Sequence, residues 1–431
     1  MKVLWVFMFP ISHYLNYHRR GGAGAVWIES IFDQIAKTEE INLSICFPET
    51  QEDNNRSEII DNIEYFTIKK QGCNKKRNQK RNILSFIYIY EMCEPDIIHV
   101  WGTEFQCNLD AIIAAEKSGI IDKVVLSLQG MCQAISRHYY AGLPNHIVWG
   151  YSIRDLLKRD NIYIQKQEYE KRGKAEKEII QKVKYVIGRT DYDYAYSTIF
   201  NENLKYYKCM ETIGNIFFEK EWNYDKCKKQ RILLSQGYYP LKGVHYVIEA
   251  FSLIAKKYPN AEICIAGWDI VRIDSKLGHL KGSKYANYLR HLIKKNGLEG
   301  RVRFIGRQDR DEMCRTYLES NVFISASTTE NESNSLGEAK LLGMPVIASF
   351  VGGVCNRIKH REDGLAYQYD DIVMLARFIC DVFDYPDYAK KLGKCARKNE
   401  IEISRRERNV ADMLDIYREI KEHYPEKVMV K

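Results

Sequence analysis

Apolar residues along this chain fall into two alternating rhythms. Short unbroken apolar runs suit strands buried on both faces, and the stretches between them repeat apolar positions every third or fourth residue, as helices covering a sheet do. In the first half the runs are Val3 to Phe9, Leu43 to Phe47, Tyr65 to Ile68, a strand ending in a turn over Pro95 to Glu104, Val124 to Leu128 and Tyr185 to Gly188. In the second they are Ile232 to Ser235, Ala261 to Gly267, Arg301 to Arg307, Val322 to Ile324, Pro345 to Ala348 and Gly364 to Tyr367. Helical spacing places Ile28, Ile31, Phe32 and Ile35 on one face, and likewise Val247, Ile248, Phe251 and Ile254. Glu168 to Val183, Tyr285 to Lys295 and Val373 to Phe383 read as further helices, and Arg405 to Tyr424 repeats Val410, Met413, Leu414 and Tyr417 on one face. Strand and helix alternate twice over, which predicts an α/β protein of two Rossmann-like doubly wound domains facing a cleft.

Composition places the division. Lys, Glu, Asn and Asp dominate between Asn215 and Gln230, so the expected domains are 1–215 and 229–404, joined by a linker over 216–228. A chain of 431 residues exceeds one ordinary core and suits two. No apolar run approaches the ~18 residues that cross a bilayer. The apolar opening Met1 to Pro10 lacks a small-residue cleavage site, so it is expected to be a first strand of a cytoplasmic protein. The cysteines form no Cys-x-x-Cys pair and sit in apolar context, which suits packing thiols in a reducing compartment; no zinc and no cofactor are expected. Net charge of +8 favours anionic ligands or an anionic membrane face without requiring nucleic acid. Lys69, Lys70, Lys75, Lys76, Arg77, Lys80 and Arg81 precede the apolar Ile83-Leu84-Ser85-Phe86-Ile87-Tyr88. Such a run is either a solvated loop or a peripheral contact with the cytoplasmic membrane face.

Candidate chemistry concentrates between Ser325 and Gly353, SASTTENESNSLGEAKLLGMPVIASFVGG. A strand, a polar loop, a helix from Leu336 with Ala339 and Leu342 on its core face, and a second strand follow in order. Glu330 lies in the loop and Glu338 in the first helical turn. Ligands of open α/β sheets gather where strands end and helices begin, because a helix start offers unpaired N–H groups and about half a positive charge. Two carboxylates there suit sugar hydroxyls, while the amides of Asn334, Ser335 and Leu336 suit phosphate. The same letters also read as a capping box, with Ser335 as N-cap and Glu338 as its partner. Further back, Arg19-Arg20-Gly21-Gly22 turns from the first strand toward a helix, and Lys242-Gly243 does so after Ile232 to Ser235.

The Ser325–Gly353 stretch resembles the Glu-x7-Glu signature of retaining nucleotide-sugar glycosyltransferases of glycosyltransferase family 4, down to Ser-Leu-Gly-Glu-Ala and Leu-Gly-Met-Pro-Val-Ile-Ala-Ser. The resemblance is strong from about Ile232 to Ala376 and looser before it. It implies the GT-B fold, with a helix at about 405–431 packing back on an acceptor-binding first domain. It also implies metal-independent transfer of a sugar from a UDP- or GDP-linked donor to a glycan or lipid-linked glycan acceptor. By that pattern Glu330 serves the donor sugar, Glu338 the ribose, and Lys242 and the turn at Gly21 and Gly22 the diphosphate. Arg189 and Arg307 are expected to add donor contacts from their strand ends. Many relatives place a histidine where Gln129 stands, which leaves His138 as the candidate beside the reacting sugar, and an arginine where Tyr238 stands. Asp191-Tyr192-Asp193 spells the Asp-x-Asp metal motif of the other large glycosyltransferase fold, but after Thr190 it reads as a helix cap. His99, inside a strand, reads as a packed core residue. Two other readings compete: a non-catalytic nucleotide-sugar or glycan-binding module, motivated by Tyr238 and Gln129, and a nucleotide-sugar epimerase.

Overall fold

The computed structural model describes residues 1–20, 28–49, 56–69, 75–272 and 281–423. The chain divides into two compact units, one of Met1–Gln133, Lys171–Thr212 and Ser404–Lys431, the other of Ala134–Glu170 and Ile213–Ile403.

In the first unit the described strands are β1 (Lys2–Val6), β2 (Asn42–Glu49), β3 (Arg56–Ile60), β4 (Ile63–Lys69), β5 (Ile97–Trp101), β6 (Val124–Ser127), β7 (Tyr185–Gly188) and β8 (Lys205–Lys208). They lie in the order β3-β4-β2-β1-β5-β6-β7-β8, parallel except where β3 runs against β4. The helix Arg406–Glu422 belongs to this unit and lays Met413, Ile416, Tyr417 and Ile420 into the core with Val3, Trp5 and Ile31. Its anchor is polar as well as apolar. Trp5 Nε1 donates to Tyr417 Oη at 2.9 Å. An indole N–H can only donate, so Tyr417 Oη accepts there; the same oxygen is hydrogen-bonded to His99 Nδ1 at 2.5 Å, and His99 Nε2 is hydrogen-bonded to Ser127 Oγ at 2.7 Å. Burial holds the imidazole well below its usual range, hence neutral. His99 is the packed core histidine its strand position suggests.

In the second unit the described strands are β9 (Arg231–Leu234), β10 (Glu262–Ile265), β11 (Val302–Phe304), β12 (Val322–Ser325), β13 (Val346–Ser349) and β14 (Leu365–Tyr367). They form one parallel sheet in the order β11-β10-β9-β12-β13-β14. Successive side chains of a strand point to opposite faces, and both faces are buried. Ile232, Leu234, Ile263, Ile265 and Ile324 join one core with the helix Val244–Ile254, whose Val247, Ile248 and Phe251 are fully buried. Leu233, Cys264, Phe323, Val346 and Ala348 join another with the helix Asn334–Leu341.

Three expectations change. Residues 134–170 belong with the second unit rather than with 1–215, because Tyr139, Leu143, Ile147, Val148 and Ile162 pack in the core around Phe251. The stretch 216–228 is no solvated linker, since Phe217, Trp222 and Cys227 are buried among Tyr317, Phe323 and Leu341. The basic run is helical from Lys75 onward, in the helix Lys75–Cys93. As expected, Asp191-Tyr192-Asp193 opens a helix: Thr190 caps Asp191–Phe200 and Asp193 closes the capping box.

Candidate functional site

In the second sheet the chain builds β9, β10 and β11 outward, then returns to lay β12 on the other side of β9. The crevice outside the carboxyl ends of β9 and β12 is therefore the topological switch point, where open α/β sheets take ligands. A pocket of about 190 Å³ lies there, lined among others by Ser235, Gln236, Lys242, Ser327, Glu330 and Asn334.

Local backbone geometry brings its two charged groups together. After β9 the turn Pro240–Lys242 ends at Gly243, whose φ of 66° is left-handed. A Cβ on Gly243 would lie 2.0 Å from the Ala326 carbonyl oxygen, so only glycine lets this loop press on the end of β12. Thr328 N donates to Leu241 O at 2.8 Å and completes the stitch. Lys242 Nζ then reaches Glu330 Oε2 at 2.7 Å, and Ser327 Oγ donates to the same oxygen at 3.0 Å. Burial alone would lower the Lys242 ammonium, but Glu330 and Tyr239 raise it far above its ordinary value, so it is charged at every working pH. Glu330 Oε1 accepts no hydrogen bond among the described residues, and the side chain stays 17% exposed. The backbone of Glu330 is fixed from behind, where its carbonyl accepts from Gly353 N at 3.0 Å.

The adjoining helix begins earlier than expected. Ser333, extended at φ −103° and ψ 98°, is the N-cap, and its Oγ accepts from Leu336 N at 3.3 Å. Ser335 is thus the second helical residue, and Glu338 lies too far along to complete a box. Both serines suit a cap by type; Ser333 holds the place because a buried arginine grips its carbonyl. Arg357 Nη1 donates to Ser333 O at 3.1 Å and to Glu332 Oε1 at 3.0 Å, while Nη2 meets Glu400 at 2.6 Å. Gly337 makes room, since a Cβ there would lie 2.4 Å from Arg357 Nη2. Lys340, fully buried, pairs with Asp363 at 3.0 Å and lies 3.6 Å from Glu400. This network holds the helix start, where the N–H groups of Leu336 and Gly337 already donate to Ser333, so the Leu336 amide expected to hold phosphate is taken by the cap. Neither Arg357 nor Glu332 stands out in the sequence, where each is one charge among many.

Glu338 sits one turn further on. Tyr317 Oη lies 3.0 Å from its Oε2 and 3.1 Å from Ser335 O. Burial pushes the Glu338 carboxyl up to about 7, against the pull of Tyr317, Arg310 and Arg357.

The other expected residues scatter. His138 ends the helix Cys132–His138 with its side chain exposed, and its carbonyl accepts from Thr328 Oγ1 at 3.4 Å, which ties it to the Glu330 loop. Arg307 is exposed, with its guanidinium 5.4 Å from the Trp268 ring, and those residues follow the bridged Gly306 and Gly267. Tyr238 is exposed and stands edge-on to Tyr239. Arg189 is not presented to solvent: it is 5% exposed in the first unit, paired with Glu211 and donating to Leu128 O at 2.7 Å. Gln129 lines a cavity of about 20 Å³ beside it. Gly21 and Gly22 lie outside the described residues.

Residues 217–399 match the family model of glycosyl transferases group 1. N-acetyl-alpha-D-glucosaminyl L-malate synthase of Bacillus anthracis is 25% identical over 47% of this chain and 48% of its own length. The match thus spans about half of that relative. Among solved structures, sucrose-phosphate synthase from Thermosynechococcus elongatus superposes with a TM-score of 0.71 at 16% identity, over 98% of this chain and 100% of that one. Anabaena HepE in complex with UDP and glucose superposes with a TM-score of 0.67 at 14% identity, over 96% and 99%. The chain therefore has the GT-B fold of two Rossmann-like domains, and within it residues 217–399 are similar to the glycosyl transferases group 1 model.

Proposed function

We propose that the protein is a retaining, hexosyl-transferring member of glycosyltransferase family 4. It moves a sugar from a nucleoside diphosphate to an acceptor hydroxyl in the synthesis of a surface polysaccharide or glycoconjugate, with peripheral contact at the cytoplasmic membrane face. One observation carries the reading. A charged lysine, a carboxylate with one oxygen that accepts nothing among the described residues, and a braced helix start converge on a single pocket at the switch point.

In such a reaction the sugar approaches an oxocarbenium ion while the departing diphosphate gains negative charge, so cationic and N–H donors fixed at the diphosphate lower the barrier. Lys242 and the amides of Asn334 and Ser335 take that role, with no metal in the scheme. Diphosphate draws the ammonium away from Glu330, whose carboxylate then accepts hydrogen bonds from the sugar hydroxyls. Glu338 accepts from the ribose, and Arg307 lies on the side of the base. His138, tied to the same loop, stands nearest to the transferred sugar. The complex of the Anabaena neighbour with UDP and glucose supports uridine as the first base to try.

Incubation with a panel of UDP- and GDP-sugars tests this reading. Transfer, or slow donor hydrolysis, supports it. Binding without turnover favours the non-catalytic module that Tyr238 and Gln129 suggest, and an isomerised donor favours an epimerase.

A further inference from the structure

Tyr317 lies in the last turn of the helix Arg310–Leu318, fully buried and edge-on to Phe217 and Phe323. Burial and the neighbouring Glu338 raise its phenol far above the ordinary range, so it carries one proton at every working pH. Two acceptors compete for that proton, Glu338 Oε2 at 3.0 Å and Ser335 O at 3.1 Å. A carbonyl can only accept. An ionised Glu338 must therefore share its donor with Ser335. A protonated Glu338 can instead donate to Tyr317 Oη while the phenol donates to Ser335 O, and both bonds are then complete. The arrangement suits a proton on this carboxyl, and burial acts in the same direction. Among the described residues, the other charged or titratable groups acting on Glu338 are Arg310 and Cys314 of the Tyr317 helix, and Arg357. Both arginines favour the ionised form without outweighing burial. The helices Ile216–Glu219 and Pro386–Ile403 also pack on the Glu338 helix; the first brings Phe217 against Tyr317, the second Glu400 against Arg357.

We propose that Glu338 is a neutral acid until the ribose of a nucleotide-sugar reaches it and then gives its proton to solvent, so that donor binding and proton release are one event. The carboxyl O–H bond breaks and the proton passes to buffer. The ribose hydroxyls donate to the carboxylate left behind, and Tyr317 turns its own O–H from Ser335 O to Glu338. Hydroxyl donors favour the charged form of a carboxyl, which offsets the burial that favoured the neutral one. Binding therefore strengthens as pH rises: below about 7 a proton has first to be expelled, and above it the proton is already gone. The inference rests on the ribose contact in the proposed function, but its test counts protons and does not depend on turnover.

UDP-glucose and GDP-glucose are titrated into the full chain by calorimetry, in buffers that differ in ionisation heat. Both diphosphates are diesters and do not titrate in the range used. For whichever binds, close to one proton should be released per nucleotide at about pH 6, and affinity there should be about tenfold weaker than at about pH 8. Glu338→Gln keeps a donor toward Tyr317 but cannot ionise, so it should bind without proton release and without that pH dependence. Arg310→Gln removes a cation that favours the carboxylate, and the midpoint of the affinity profile should move to higher pH. The proposal is overturned if binding releases no proton, if Glu338→Gln keeps the pH dependence, or if Arg310→Gln leaves the midpoint in place. If neither nucleotide-sugar binds, it falls together with the donor reading. Transfer without proton release would sink this inference alone, and proton-coupled binding without transfer would sink the enzymatic reading alone.

Discussion

Replacing Arg357 with methionine separates what holds the second unit together from what shapes its pocket. The guanidinium is 6% exposed and lies between Glu332 and Glu400, whose side chains are 3% and 0% exposed. Removing one partner of a buried ion pair costs about 3–5 kcal/mol, because the remaining charge stays desolvated. The lost bond to Ser333 O adds about 1 kcal/mol. Lys340, 3.6 Å from Glu400, offsets part of this. A net loss of about 3–5 kcal/mol follows, read by urea unfolding. Removing the facing carboxylate in Arg357→Met/Glu400→Met takes out both sides of the larger pair, and a buried pair replaced by apolar residues is often no less stable. Part of the stability should then return, because Glu332 stays buried without its arginine. Turnover should not return, because Ser333 and Glu332 have still lost their brace, and a displaced N–H donor costs about 10²–10³ in rate. A single-variant loss below about 1 kcal/mol would mean the pair is not buried as described. Recovery of both properties in the double variant would refute the positioning role.

Glu330→Ala should abolish turnover with the fold intact by circular dichroism, and full activity would remove that loop from the reaction. Lys242→Ala should slow transfer by about 10²–10³; an unchanged rate would mean another group holds the diphosphate. Tyr417→Phe leaves Trp5 Nε1 and His99 Nδ1 without partners and should cost about 2–6 kcal/mol in urea unfolding, whereas a neutral outcome would refute the hydrogen-bond relay. Glu176 is fully buried among Cys132 N, Gln133 N and Thr103 Oγ1, and burial, reinforced by Glu104, pushes its carboxyl up to about 7. Because its folded pKa is raised, its contribution is complete below the unfolded value and is lost as pH rises through about 7. Stability should therefore fall by up to about 1.4 kcal/mol per pH unit across that window, and Glu176→Gln should flatten the slope. An unchanged slope would place the titration elsewhere.

The elements were legible where a pattern repeats. Buried parallel strands leave unbroken apolar runs, and β9, β10, β12 and β13 stand where those runs stand. The pairing of Lys242 with Glu330 was legible only as two motifs joined by a resemblance. Spacing does not reveal that Gly243 presses on Ala326 and so closes the distance. Polar composition misled at 216–228, where Phe217 and Trp222 decide the packing despite their charged neighbours. Strand-end position misled at Arg189, whose partner Glu211 lies 22 residues away in an unremarkable segment. The helix start was missed by two residues because Ser333 and Ser335 are equally good caps in isolation, and the choice between them is made by Arg357 from another strand end.

The bond between Trp5 and Tyr417 spans 412 positions of the chain. During synthesis at about 5–20 residues per second, Trp5 is made roughly 20–80 s before its partner exists. The whole block 213–403 emerges in the meantime and can settle first. Translation order and assembly order therefore differ: the core around Trp5 stays incomplete while the intervening block of the second unit is made.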